Sequence, residues 1–413
     1  MKKRYSLTNQ QNGRVFTFGA LYFVQGAMFA YVLVFNNLYL REFGATANQL
    51  SWLNGLLLLP FVLKIFFGLL SDRVNLFGWG HRKPYMMIGL CLTSLSTLIA
   101  PFVPPVEMFP LFLGVAMVIA LGVAISDTTI DGLAIDVTPA GERSLVQGAM
   151  VIGRALGIVF LSATYGRIIV AFDWSVVFLL ATVFNLFSLF LLLWIQEPPH
   201  QISGTIFSWK AMKPFWRPDL GRFLLYGILY AFVIYGANAI VPLYLREDLG
   251  ADLIKVGDSA AIAGLGMLIG GGLSTLLARK FSIWQRGIGT TLIVTVSLFY
   301  VALFASLEHL AFVTILWGAC LAGAELIYVT LAMEKSDPRL GASMFAVFMA
   351  ISNIGTGAGQ ATTTGLIDRL EYQWLFVGLA LFNLLIIPLM VIMQADDQSP
   401  AAEMPPILES GVS

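Results

Sequence analysis

Along most of the chain apolar residues run in blocks of about 20 or more, broken by short clusters of Gly, Pro, Asn and charged residues. A hydrocarbon core ~30 Å thick is crossed by about 20 apolar residues in helical form, because an α-helix rises ~1.5 Å per residue. Marking the blocks by their turn and charge punctuation predicts twelve membrane helices, at 15–40, 49–70, 84–103, 108–135, 144–171, 174–195, 219–246, 256–278, 287–306, 309–333, 342–367 and 372–393. The one long polar interior stretch, 196–218, carries Pro198, Pro199, Pro214, Pro218, Lys210, Lys213 and Arg217. It reads as a cytoplasmic linker between an N-terminal six-helix bundle over 1–195 and a C-terminal one over 219–393. Residues 394–413 turn polar and acidic without periodicity and read as a disordered cytoplasmic tail.

Composition agrees with this and narrows the partners. The 413 residues are 58% hydrophobic and only 12% charged, with a mean hydropathy of +0.82, whereas soluble domains are about 25% charged. A soluble globule is excluded; the lipid bilayer is the partner. Lys+Arg (24) and Asp+Glu (24) cancel, which removes the electrostatic case for a nucleic acid. Cys91 and Cys320 both fall within apolar blocks, so no disulfide framework is expected. The basic start Met1-Lys-Lys-Arg4 is followed by an apolar run too long for a cleaved leader, and reads as the first retained span.

An even number of spans puts both termini on one side. That side gathers Arg14, Arg73, Arg82, Lys83, Arg143 and most other basic residues, against Arg41, Arg246, Lys255 and Arg369 opposite. The bias of Lys and Arg toward the cytoplasm then makes both termini cytoplasmic. A bacterial inner (plasma) membrane and a monomer are expected.

The two halves repeat one another. Leu38-Tyr-Leu-Arg-Glu-Phe-Gly-Ala45 follows the first span, and Leu243-Tyr-Leu-Arg-Glu-Asp-Leu-Gly-Ala251 follows the seventh. Gly148 to Gly157 in the fifth span aligns with Ala346 to Gly355 in the eleventh. The predicted fold is therefore all-α, with twelve transmembrane helices as two six-helix bundles related by a parallel pseudo-repeat. Carriers built this way bind their solute near the midplane, between the repeats.

Between the second and third spans the chain reads Gly68-Leu-Leu-Ser-Asp72-Arg73, then, after an insertion, Gly80-His-Arg82-Lys83-Pro84. This resembles the signature of the major facilitator superfamily, which usually places its basic pair closer to Asp-Arg. Ser126-Asp127-Thr-Thr-Ile-Asp131-Gly-Leu-Ala-Ile-Asp136, with Gly153-Arg154-Ala-Leu-Gly157 beyond it, is similar to the branch of muropeptide permeases, acetyl-CoA carriers and folate–biopterin carriers. The long Leu-Phe-Gly-x-x-x-Arg-Lys-Pro-Tyr connection is most similar to the last of these. Ser126 departs from the muropeptide type, which usually has Gln, and Asp136 from both types, which more often have Glu. The resemblance implies a gate at the cytoplasmic motif: Asp72 near a helix N-terminus across the interface between halves, and Arg73 or Arg82 paired with Asp136.

A charge inside the bilayer costs ~2.5–3.5 kcal/mol even on the lenient insertion scale, so each must face a cavity or a partner. Lys64, Asp127, Asp131, Arg154 and Glu325 are such charges. Arg154 lies ~15 Å into its span, near the midplane, and its forked guanidinium suits a carboxylate or phosphate. Asp127 and Asp131, four apart, share one helix face. These four charges either neutralise one another structurally or serve binding (Arg154, Lys64) and proton coupling (Asp127, Asp131). Glu325 occupies the position in the tenth span that Asp127 has in the fourth, with no basic residue of its own half at that depth. It is the strongest proton-coupling candidate. Tyr31, Asn37 and Asn238 are candidate solute contacts; they, and Gln25, Asn36, Tyr235, Asn353 and Gln360, serve equally well as interhelical hydrogen bonds.

No Gly-x-x-x-x-Gly-Lys-Ser/Thr motif is present, and His81, His200 and His309 have neither metal-ligand nor triad spacing. No enzyme activity, metal or cofactor is expected. The predicted function is a secondary transporter moving a small, anionic organic solute by alternating access with protons. Import is favoured because the fifth span lacks the proline-containing glycine motif of the superfamily's antiporters. The alternative is a transporter-like scaffold or assembly factor that holds a pigment or lipid and moves no solute.

Overall fold

The computed structural model describes residues 7–78, 80–197, 218–336 and 341–398, with only the backbone at 140 and 341–343. Most of the expected linker, the tail from 399, and Lys2, Lys3, Arg4, Arg339 and His200 lie outside the described residues. Within them the long elements are all helical. The N-terminal six are α1 (Gln11–Glu42), α2 (Ala47–Arg73), α3 (Lys83–Phe102), α4 (Phe109–Val137), α5 (Arg143–Ala171) and α6 (Trp174–Leu192). The C-terminal six are α7 (Pro218–Glu247), α8 (Leu253–Leu277), α9 (Ile283–Phe304), α10 (Leu310–Glu334), α11 (Gly341–Leu366) and α12 (Tyr372–Asp397). All but α11 are long and apolar enough to cross a membrane; α11 spends much of its length on Ser, Thr, Asn, Gln and Gly.

Local chemistry sets the ends and breaks. Thr46 starts α2 with a reciprocal capping box to Gln49, and Ser282 does the same for α9 with Gln285. Pro84 and Pro110 stand in the first turns of α3 and α4, where a missing N–H costs nothing. Pro60 breaks α2 into Ala47–Leu57, Leu59–Val62 and Lys64–Arg73. In α1 the hydrogen bonding widens to a π turn over Tyr31–Phe35, then returns to α at Asn36. The expected tail begins later than its polarity suggests: α12 continues to Asp397, because Asp396 bonds to Arg222 and Asp397 pairs with Lys335 at 2.9 Å.

The pseudo-repeat is visible in the packing. α1 lies along α5 as α7 lies along α11, and α3 packs on α6 as α9 packs on α12. Between the halves, α5 meets α8 and α2 meets α11. Backbone-to-backbone approach through glycine makes the first two contacts. A Cβ on Gly153 would strike the Gly19 carbonyl, and one on Gly157 the Phe23 carbonyl, both across α1. In the other half, Gly355 and Gly359 stand in the same way against the carbonyls of Ile228 and Phe232 on α7. The Gly157–Phe23 and Gly355–Ile228 contacts set Gly157 against Gly355, because Phe23 and Ile228 are separated by the same 205 residues as the two copies of Leu-Tyr-Leu-Arg-Glu.

Side chains such as Leu179, Val183, Leu186 and Phe190 cover the outer face of α6 and are exposed, as a bilayer-facing surface requires. The helices close on the face opposite the termini. There Arg41 of α1 reaches Glu247 of α7 at 2.7 and 3.2 Å and Asp368, just beyond α11, at 3.0 Å. Asp368 also accepts from the Ala47 N–H at 2.7 Å, the Tyr372 hydroxyl donates to Glu247 at 2.6 Å, and Arg167 of α5 meets Asp258 of α8 at 2.6 Å. Beneath them Asn54 donates to Asn37 at 2.9 Å, and Asn37 donates to the Ala239 carbonyl at 3.2 Å. On the terminal face the ion pairs among the described residues stay within one half: Arg14 with Glu142, Arg82 with Asp72 and Asp136, Arg222 with Asp396, and Lys335 with Asp397.

Gly157→Val is expected to lose about 3 kcal/mol or more of stability by overpacking against the α1 backbone, read as a large fall in melting temperature and in monodisperse yield. Gly148→Ala, where a Cβ meets nothing within 4 Å, should leave both unchanged.

Candidate functional site

A central cavity of about 1660 Å³ lies between the halves, larger than the ~300–1,000 Å³ of a drug-sized pocket. Asp72, Arg73, Arg82, Asp136 and Gln147 line its outer end, so it opens toward the face that carries the termini. The seal described above closes the other end. Most of its wall is apolar, and beyond that charged mouth the remaining acids and bases gather at mid-depth.

On the N-terminal side the charges form one connected cluster. Asp127 of α4, its side chain 6% exposed, accepts from Lys64 of α2 and from Gln25 of α1, and Arg154 of α5 reaches it at 3.2 Å. The Arg154 guanidinium also donates to the Gln25 side-chain oxygen at 2.6 and 3.0 Å. It lies 4.6 Å from the Tyr22 ring centroid and 5.6 Å from that of Phe29, so its flat faces meet aromatic surface while its edge points at acceptors. Asp131, one turn from Asp127, accepts a hydrogen bond from the Tyr22 hydroxyl. Two acids and two bases are thus brought together, with α1 supplying the neutral groups between them.

The other wall holds one acid. Glu325 of α10 lines the cavity, as do Tyr235 of α7 and, on the opposite wall, Arg154. It has no ion pair among the described residues. Asn238 of α7 also lines the cavity and accepts from the Trp317 indole at 3.3 Å. Tyr31 lines it too, its ring 5.1 Å from that of Phe178.

Two sequence expectations change. Asn37 does not line the cavity; buried between α1, α2 and α7, it spends its amide on the hydrogen-bond chain beneath the seal. Asp72 does not reach across the interface between the halves. It pairs with Arg82, which also donates to Asp136 at 3.0 Å and to Ser71 at 2.7 Å, so that α2, α3 and α4 are tied within one half. Arg73 is exposed at the end of α2 with no ion pair among the described residues. A further anchor was not anticipated: Glu197, just beyond α6, accepts from the backbone N–H groups of His81, Arg82 and Lys83 at 2.7–3.0 Å and caps α3.

Tyr22 and Phe29 were also missed. Their signal is the spacing Tyr22, Gln25, Phe29, which places polar and aromatic groups on one face of α1 toward Arg154. The seal was missed as well, because its residues are unexceptional loop-end charges in sequence.

Residues 18–360 match the Major Facilitator Superfamily. The chain is similar to the folate-biopterin transporter of Synechocystis sp., 25% identical over an alignment of 320 residues that covers 71% of this chain and 61% of that protein. It thus spans less than two thirds of that relative's length. Among solved structures it resembles the nucleoside transporter NupG (TM-score 0.80, 11% identity, 92% of this chain and 99% of the other). It also resembles a D-xylose-proton symporter (TM-score 0.71, 14% identity, 92% and 95%). At these identities the structures speak for the fold alone.

Asp127→Asn removes the counter-charge of both Lys64 and Arg154. Breaking a fully buried pair costs about 3–5 kcal/mol; here the bases keep 30% and 38% side-chain exposure, so a loss of about 2 kcal/mol is expected in thermal unfolding. Adding Lys64→Met should recover part of it, and a double-mutant cycle without coupling would show that Lys64 and Asp127 do not interact.

Proposed function

The chain belongs to the Major Facilitator Superfamily, a family of membrane transporters of small solutes, and we propose that it imports a small organic anion together with protons. Both termini are assigned to the cytoplasm, from the Lys and Arg distribution, in a bacterial plasma membrane. The conformation described is then the inward-open one, and the working unit is a monomer.

The observation that carries this reading is the position of Arg154. Its guanidinium is only partly used: Gln25 and Asp127 take its Nε and Nη2 edge, and 38% of the side chain remains exposed in a cavity whose wall is mostly apolar. A carboxylate or phosphate entering from the open face meets it there, with Lys64 beside it and Asn238 on the opposite wall. With Lys64, Arg154, Asp127 and Asp131 all ionised, the N-terminal cluster is neutral. A bound anion adds a negative charge that the low-dielectric interior opposes.

A proton on Glu325 or Asp131 offsets it. Asp131 receives one hydroxyl donor, from Tyr22, and retains an oxygen for the proton, and Glu325 has no ion pair among the described residues. Asp127, held by two cations and an amide, serves better as the fixed counter-charge than as the proton carrier. Alternating access follows by rocking one half against the other about the site. Opening the far face requires the Arg41–Glu247, Arg41–Asp368 and Arg167–Asp258 contacts to part. The Asp72–Arg82–Asp136 triad at the cytoplasmic mouth then stands where the closed inner gate would form.

The test is uptake into proteoliposomes, beginning with folate and biopterin, the solutes in the relative's name, and extending to other organic anions. Glu325→Gln is expected to abolish accumulation driven by a pH gradient while sparing solute exchange. Accumulation that survives would remove Glu325 from proton coupling, and a protein that binds solute but never moves it would favour the scaffold reading.

A second expectation concerns the seal. In a background with Cys91 and Cys320 replaced by Ala, Arg41→Ala combined with Arg167→Ala should raise labelling of an Asn238→Cys probe from the outer side several-fold. Unchanged labelling would separate these ion pairs from gating.

A further inference from the structure

The cavity does not end at the charge cluster. Beyond it, toward the sealed face, a lobe enters the N-terminal bundle between α1, α3, α4 and α6, lined by Phe112, Ala116, Val177 and Phe178. These residues are all buried. Two residues that line this space carry buried side-chain atoms without a hydrogen-bond partner among the described residues: the Tyr31 hydroxyl and the Asn36 nitrogen. Tyr31 is 8% exposed and Asn36 4%. The nearby hydroxyls of Thr97 and Thr182 are already paired with each other at 2.9 Å, so they satisfy neither.

The two residues stand at the two ends of the π turn of α1. Asn36 N–H bonds to the Tyr31 carbonyl, five residues back. In a regular α-helix residues five apart point about 140° away from one another; widening the turn swings them toward a common face. π turns within α-helices occur frequently at functional sites. Buried polar groups without partners are rare in proteins, and each needs an explanation.

We propose that this lobe is a second subsite for the solute, one that takes an uncharged hydrogen-bond acceptor such as an amide or ring carbonyl oxygen. The inference rests on the anion site at Arg154 and extends it: one end of the solute carries the negative charge, the other the neutral acceptor. Asn36 offers an N–H and Tyr31 an O–H, so the missing partner is an acceptor. No acidic or basic residue lines the lobe, so that partner is neutral. Its flanks are apolar, which suits a ring or chain behind the acceptor. Arg154 is bonded to Gln25, and Tyr31 and Asn36 lie six and eleven residues further along α1, so the two ends of the solute are ~9–16 Å apart along the helix axis.

The test uses the purified full-length protein and two probes in calorimetric titration. One is succinic acid monoamide, which reaches only Arg154. The other is a set of monoamides of straight-chain dicarboxylic acids of about eight to twelve carbons, which covers the span above. The long probes are expected to bind about tenfold more tightly than the short one. Tyr31→Phe and Asn36→Leu should each remove most of that gain and leave the short probe unaffected, while Arg154→Ala weakens both.

Long probes that bind no better than the short one, or that are insensitive to both substitutions, would overturn the subsite and leave the anion site standing. Wild-type protein that binds neither probe would overturn the anion site and this inference with it. Without ligand, Tyr31→Phe and Asn36→Leu should hold or raise the melting temperature, since each removes a polar group that has no partner. A fall of more than about 4 °C would show that the groups have a structural partner and would also overturn the subsite.

Discussion

A guanidinium can lie at the middle of a bilayer only if the protein supplies what water would have supplied. Arg154 is provided for by two helices at once: a carboxylate from α4, and an amide oxygen and two aromatic faces from α1. That arrangement requires α5 to lie against α1 closely enough for side chains on one to wrap those on the other. The glycines provide it. Gly153 and Gly157 bracket Arg154 and bring its backbone onto that of α1, where Gly26 in turn leaves room for the Arg154 carbonyl. Backbone contact and charge are therefore a single device in this half of the molecule, and the placement of Asp127, Lys64 and Asp131 follows from it.

The same packing in the other half carries no charge. Gly355 and Gly359 bring α11 onto α7, but Ser352 stands three residues before Gly355 where Arg154 stands three before Gly157. The two halves thus share a scaffold and divide the chemistry. One holds a cluster of two acids and two bases; the other presents Glu325, with Tyr235 also on the cavity wall. The cavity thus has an electrostatically dense wall on one side and a single carboxyl group on the other at that depth.

Much of this was legible in the sequence, for physical reasons that can be named. Hydrocarbon thickness makes a span visible as a block of apolar residues, and the cost of an intramembrane charge makes Arg154, Asp127 and Glu325 conspicuous. What those charges touch was less legible. Tyr22 and Phe29 are ordinary residues in an apolar helix, and nothing local marks the direction they face. Asn37 looked like a cavity residue because a polar group in a span is equally suited to a solute or to a neighbouring helix; only its position against α2 and α7 decides. The π turn in α1 has no sequence signal here, and it shifts the facing of every residue beyond it.

The closing seal has a history written into it. Arg41 and Glu247 come from the two copies of Leu-Tyr-Leu-Arg-Glu, so the first copy supplies the cation and the second the anion of one ion pair. In a two-fold symmetric assembly of identical chains such a contact is isologous and forms twice, once in each direction. Here the two-fold-related pair is absent among the described residues: Arg246 turns back to the Ala251 carbonyl, as Arg41 also does to Ala45, and Glu42 has no ion pair. Asp368 and Tyr372 stand around the pair that is present. The pseudo-symmetry that relates the bundles is thus broken at the contact it would most simply generate, and one latch with two extra fingers stands where exact symmetry would place two.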